Sequence, residues 1–216
     1  MRCKIGIVTG VVLIGVLAAG CSYLINQSTT TTLNNFNGVN SASSNSTNGL
    51  SLSLYLDSKT YQPGQEISIV VDIKNTRSRK NDVPTSNDWS YNQLASGQCD
   101  MGLPWEITVF HGDYTSSDFS AATPLALWNY NLIVPCGIPL TNTAFDFHPL
   151  SDMATPIGDT SSQNSSFPID AEYTETGYWT GAAPNATQQN FEPGIYTVVA
   201  GDEWGALVVV HFMVSQ

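Results

Sequence analysis

The chain of 216 residues carries 18 Asp and Glu against 7 Lys and Arg, a formal net charge of -11 at pH 7. All seven cations lie at or before Lys80, and residues 81–216 hold fifteen acids with no Lys or Arg. A field of that sign repels nucleic-acid phosphates and anionic lipid headgroups, so a nucleic-acid partner is excluded.

The first predicted element is the stretch 5–25, IGIVTGVVLIGVLAAGCSYLI, twenty-one residues without a charge, preceded by Arg2 and Lys4. As a helix it rises about 31 Å at ~1.5 Å per residue, close to the ~30 Å of a bilayer core. Cations on its N-terminal side stay cytoplasmic, which sends the remainder of the chain outside. Leu17-Ala18-Ala19-Gly20-Cys21 resembles the bacterial lipobox, whose cysteine is lipidated after cleavage before it, and makes Cys21 the lipidation candidate. The family favours a large aliphatic residue where this chain has Ala18, and Tyr23, Leu24 and Ile25 prolong the apolar run beyond the cleavage point. Residues 1–26 therefore read as a signal anchor or a lipoprotein-type signal. Either leaves a domain held outside the membrane.

Residues 27–49 read as a flexible tether. Nineteen of the twenty-three are Gln, Ser, Thr, Asn or Gly, too polar to bury a core, and as a coil they span about 25 Å. Asn26, Asn45, Asn164 and Asn185 stand in N-x-Ser/Thr sequons and are the glycosylation candidates.

One β domain is expected over 50–216, a length that buries a single ordinary core. Leu50, Leu52, Leu54 and Leu56 alternate with mostly polar residues, the pattern of a half-buried strand. Pro63-Gly64 suits the centre of a type II turn, after which Ile67, Ile69, Val71 and Ile73 give a second period-two face. Thr76 to Gly102 reads as a long surface excursion that carries Arg77, Arg79 and Lys80. This basic patch is either a solvated turn or a contact for an acidic neighbour. Cys99 and Cys136 are the cysteines of the folded part. In an oxidising exterior they form a disulfide across 36 intervening residues, worth roughly 3–4 kcal/mol in a loop-entropy account.

Trp105 to His111 alternates again, and Leu125 to Val134 and Ala144 to His148 follow as strands. Ser151 to Ala186 is mostly polar loop with an edge strand at Ile169 to Tyr173. Inside it, Tyr173, Tyr178 and Trp179 either pin the loop to the core or form a platform for stacking sugars. Pro193-Gly194-Ile195-Tyr196 then leads into a strand, Gly201 to Gly205 turns, and Ala206 to Val214 returns, which makes a β-hairpin. Leu207, Val209 and Met213 are apolar as well as Val208, Val210, Phe212 and Val214, so a loop or a partner must lie over the outer face of the last strand. The Pro-Gly-x-Tyr entry resembles the tyrosine corner of immunoglobulin-like domains. That resemblance implies an all-β, antiparallel immunoglobulin-like sandwich with long loops, in which the Tyr196 hydroxyl bonds backbone across the corner. An N-terminal membrane helix followed by such a domain is similar to uncharacterised membrane-anchored extracellular proteins.

His111, Cys136, His148 and Met153 occur in the chain order used by blue-copper electron carriers, which share a sandwich fold. In that family the last three ligands sit on one short loop, whereas His148 lies twelve positions beyond Cys136, and a disulfide to Cys99 would consume the thiolate. No Gly-x-Ser-x-Gly motif occurs, and His211 sits in an apolar strand. Asp202 and Glu203 fall in a hairpin turn, where they are turn formers or ligands for calcium. The expectation is a non-catalytic, extracytoplasmic surface module without a cofactor, its role binding or structural. It is held at the cell membrane by a single pass or a lipid, with a surface protein or glycan as partner. The alternatives are a blue-copper-like metal-binding electron carrier and a subunit of a surface assembly joined by β-strand addition. The acidic balance itself reads either as a solvated, soluble surface with no specific partner or as a fit to a strongly acidic medium, which neutralises carboxylates but leaves Lys and Arg charged and mutually repelling.

Overall fold

The computed structural model describes residues 38, 40–45, 48–86, 103–127, 142–158 and 165–216. The apolar run 5–25, Cys21, Asn26, Cys99, Cys136 and Asn164 lie outside the described residues. Among those described, no helix is long and apolar enough to cross a membrane.

The strands, in chain order, are β1 (Ser41–Asn45), β2 (Leu50–Leu56), β3 (Thr60–Tyr61), β4 (Ile67–Asn75), β5 (Asn81–Pro84), β6 (Trp105–His111), β7 (Pro124–Leu125) and β8 (Asn142–Phe147). They continue as β9 (Met153–Gly158), β10 (Phe167–Pro168), β11 (Asp170–Glu175), β12 (Gly177–Thr180), β13 (Thr187–Asn190), β14 (Gly194–Asp202) and β15 (Leu207–Val214). A first sheet has the order β1-β2-β4-β11 and a second the order β3-β15-β14-β6-β7. A third, β10-β9-β8-β5, and the β12-β13 ribbon complete an all-β fold. Pairing is antiparallel throughout these sheets except where β3 runs parallel to the end of β15.

Strand alternation builds the core directly. The leucines of β2 and the Ile67, Ile69, Val71 and Ile73 face of β4 are all buried, in a register that sets Leu52 beside Ile73 and Leu54 beside Val71. They pack against Val198, Ala200, Val208, Val210 and Phe212 of the second sheet in one apolar cluster. Each such side chain contributes roughly 1.5–3 kcal/mol on burial. Two sheets facing each other over one core are consistent with a β-sandwich.

The segment joining β2 to β4 is not a plain hairpin connection. At Asp57–Lys59 the chain leaves the first sheet, and at β3 it joins the second, setting Thr60 beside Met213. Tyr61 then packs edge-on against Phe212, with ring centroids 5.6 Å apart. Its hydroxyl donates to Asp57 Oδ1 at 2.6 Å and accepts from the Ser58 amide at 2.9 Å. The expected turn follows: Gly64 has φ +76°, and the Gln65 amide closes on the Gln62 carbonyl at 3.0 Å.

Three sequence expectations change. The folded unit begins at Gly38 rather than at residue 50, because Ser41–Asn45, expected to be tether, is an edge strand on β2. Its Ser and Asn side chains carry no apolar period; backbone hydrogen bonds, with Leu56 N to Asn40 O at 2.7 Å beside them, and Ala42 packed on the core hold it. The excursion after Thr76 contains β5, which pairs with β8. The polar stretch Ser151 to Ala186 holds the edge strand expected at Ile169 to Tyr173, found as β11, but also β9, β10 and β12, with few apolar residues turned inward to announce them.

The β14–β15 hairpin matches its expected place, with Tyr196 beside Phe212 and Val199 beside Val209. Its outer face is covered from within the chain: Phe119, in a 3-10 turn at Phe119–Ala121, is fully buried with Phe110 and Val199, and Leu207 and Val209 pack against that cluster. Phe119→Ala empties the centre of this cover and is expected to cost about 3–5 kcal/mol in urea unfolding. A loss below about 1 kcal/mol would mean that the cover is not pinned by this ring.

Candidate functional site

The groups with chemical potential gather at the two ends of β14. At its start, Tyr196 lies face to face with Phe212 on one side (4.9 Å, 7°) and with His111 on the other (4.8 Å, 14°), a stack across three adjacent strands. Phe191 closes edge-on against both Tyr196 and Phe212. The Tyr196 hydroxyl donates to the Glu192 carbonyl, four residues upstream, at 2.9 Å. Burial, and after it the neighbouring Tyr178, push this hydroxyl up to about 12, so it keeps its proton and remains a donor. A Cβ on Gly194 would sit 2.7 Å from His111 Nε2, so the Pro-Gly entry leaves the imidazole its place.

At the other end, Asp202 is fully buried in the hairpin turn. Its Oδ1 accepts from the amides of Trp204 (3.0 Å) and Ala206 (2.7 Å), while Oδ2 has no hydrogen-bond partner among the described residues. Burial therefore outweighs the backbone donors and pushes the carboxyl up to about 6. Glu203 accepts from the Ser86 amide through Oε2 at 3.1 Å, and Trp204 Nε1 donates to the Pro84 carbonyl at 2.7 Å. Phe145 and Phe147 both pack on Trp204, which locks the third sheet to the turn. The two acids thus face N–H donors, which suits turn formers and not cation ligands.

The remaining candidates distribute as follows. His148 donates its amide to the Met153 carbonyl at 2.8 Å, and its ring nitrogen meets Ser166 Oγ at 3.0 Å. These two residues of the copper set come together beside the sheet that packs on Trp204. His111 ends β6 at the opposite end, six residues beyond Trp105, or about 20 Å at ~3.4 Å per residue. Cys136, the set's thiolate, lies outside the described residues, among which no three His, Cys, Asp or Glu side chains gather to hold a metal. His211 Nε2 bonds the Tyr114 carbonyl at 2.8 Å and lies 3.3 Å from Asp113. Of the aromatic trio, Tyr173 packs edge-on against Trp105, Tyr178 packs on Phe191, and the Trp179 amide donates to the Ala126 carbonyl. They pin the loop. Asn45 and Asn185, the described sequon residues, are exposed.

The basic patch is built into a network around Asn75, which the sequence reading passed over. Asn75 is fully buried, donates to the carbonyls of Arg79 and His148 at 2.9 Å each, and accepts from the Arg77 amide. Arg77 reaches Asn81 Oδ1 at 2.7 Å, and Lys80 pairs with Asp146 at 2.7 Å. An Asn that ends a period-two strand was the available signal. Thr197, also missed, is buried in β14 and bonds both the Gly112 carbonyl and the Tyr114 amide.

Compared with protein-family models and with curated proteins, the chain matches none.

Asp202→Ala leaves the Trp204 and Ala206 amides without their acceptor and is expected to cost about 1–3 kcal/mol in urea unfolding, whereas Asp202→Asn keeps the Oδ1 acceptor. Because the folded carboxyl is raised from 3.8 to about 6, its protonation contributes stability that is complete below about pH 4. That contribution fades as pH rises through about 6 and should vanish in the Asn variant. Identical slopes of stability against pH in the two proteins would contradict this.

Proposed function

We propose that this chain is a membrane-held, extracytoplasmic immunoglobulin-like β-sandwich module whose role is binding or structural and not catalytic. The carrying observation is that the three histidines and the two acids of the β14–β15 turn are bound into the scaffold. His111 is stacked on Tyr196, His148 bonds Ser166, His211 bonds Tyr114, and Asp202 and Glu203 accept backbone amides. The immunoglobulin-like assignment is supported by β14, flanked by β6 and β15, opening on Tyr196 with its bond to Glu192.

Membrane attachment is supported by the uncharged stretch 5–25 behind Arg2 and Lys4, with Cys21 as the lipid-bearing alternative to a retained helix. An exterior location then makes a Cys99–Cys136 disulfide and glycans at Asn45 and Asn185 natural modifications. The full chain is expected to pellet with membranes after alkaline washing and to lose its β domain to protease added outside intact cells. Recovery in the cytosol would refute the assignment, and the intact mass distinguishes cleavage with lipid at Cys21 from a retained anchor.

A second reading, assembly by strand addition, is favoured by one feature. Among the described residues β15 meets a strand on its outer side only at Met213 and Val214, and β1 is an uncharged edge. Under this reading the full chain in detergent grows in size with concentration; a monomer at all concentrations removes it.

A further inference from the structure

Strand β11 lies at the edge of the first sheet and is held by β4 alone. Its register sets Asp170 directly opposite Asp72 on the outer face. Like charges placed so are destabilising, since Cβ atoms across a strand pair lie only ~5 Å apart. Asp152 joins them, because its carbonyl takes the Ile169 amide at 3.0 Å just before β11 begins. From the other side, β2 presents Ser53 opposite Asp72, and among the described residues the cation facing the group is Lys74, two residues along β4. Asp72 Oδ1 is buried with no hydrogen-bond partner among the described residues. Glu172, next on the outer face of β11, is tied to Ser68 Oγ at 2.5 Å.

The far end of the strand repeats the problem in another form. Along β11 exposed and half-buried residues alternate, so Glu175 turns to the same side as Ala171 and Tyr173, toward the interior. It stands opposite the buried Ile67, and among the described residues burial alone acts on its state. Between the two carboxyl sites, Tyr173 rests its ring on Trp105, the contact that docks the strand on the core.

We propose that β11 is a proton-clasped edge strand: it stays zipped to β4 while Asp72, beside Asp170, and Glu175 hold their protons, and it loosens when they ionise. A proton on Asp72 removes its repulsion with Asp170, and a neutral Glu175 can remain turned inward where an anion would be drawn to water. The electrostatics agree. Burial, then Asp152 and Asp170, raise Asp72 to about 6 against the pull of Lys74, and burial alone raises Glu175 to about 7. Carboxyls raised on docking favour the docked strand fully below about pH 4, and that preference is lost as pH rises through 6 to 7. In acid the strand is shut; near neutrality its opening exposes the backbone edge of β4.

Hydrogen exchange of the full chain in detergent, from pH 5 to pH 8 and corrected for the intrinsic base-catalysed rate, tests this. Protection of β11 amides is expected to fall at least about tenfold more than that of β2, since each unit of differential pKa is a factor of ten. The double substitution Asp72→Asn and Glu175→Gln should abolish the extra fall, and Glu172→Gln should leave it in place. β11 amides that keep pace with β2 across the range overturn the proposal, as does a double variant that retains the full fall. The unsubstituted chain's pH series decides the matter alone if the double variant does not fold.

Discussion

Strand β14 is buried on both of its faces, and most of the fold answers that constraint. From Ile195 to Ala200 every residue is closed to solvent, so the strand needs cover inside and outside the second sheet. Inside, the alternating leucines of β2 and the isoleucines and valine of β4 supply it. Outside, the segment after His111 folds back and lays Phe119 on Val199. Thr197 in this run is what fixes that segment: its hydroxyl takes the Tyr114 amide and returns a bond to the Gly112 carbonyl. A buried hydroxyl is thereby satisfied and a covering loop is placed by the same two contacts.

The absence of Lys and Arg after Lys80 dictates how the acids inside the domain are managed. Asp202 accepts from two turn amides, and Glu203 from Ser86. Backbone N–H groups and protons do here what guanidinium and ammonium groups do in most domains. Backbone amides do not change with pH in the way an ion-pair partner does, so at Asp202 the carboxyl itself is the titrating member of the contact. This links the lopsided composition to local structure: a chain poor in cations must bury acids neutral or aim them at the backbone.

Legibility in the sequence followed apolar periodicity closely. β2, β4, β6 and the β14–β15 hairpin each carry a two-residue period or a continuous apolar run, and each stands where the pattern placed it. The Pro63-Gly64 turn was readable because Gly64 needs φ near +76°. What escaped were strands with few apolar residues, such as β1, where Ala42 in the SASSN sequence packs on the core, and β9, whose inward residues are only Ala154 and Pro156. The candidate groups fared similarly. Paired acids at a hairpin turn could be recognised as turn formers from their position. The meeting of Asp72 with Asp170 could not, because it depends on a register between strands almost a hundred residues apart. Likewise nothing local reveals that Asn75 will serve Arg79 and His148 at once.

The crossing between sheets at Asp57–Lys59 has a mechanical meaning. β2 ends at Leu56 in one sheet and β3 begins at Thr60 in the other, with three residues between them. Tyr61 holds the crossing shut through Asp57 and Ser58 while its ring sits on Phe212. A connection so short permits no slack, so the two sheets cannot drift apart and later rejoin as independent layers. Loop-closure entropy for bringing them together is met once, early in the chain, by a local contact instead of a distant one. The interior of the domain is therefore built to form and dissolve as one cooperative body, with independent motion confined to strands at its margins.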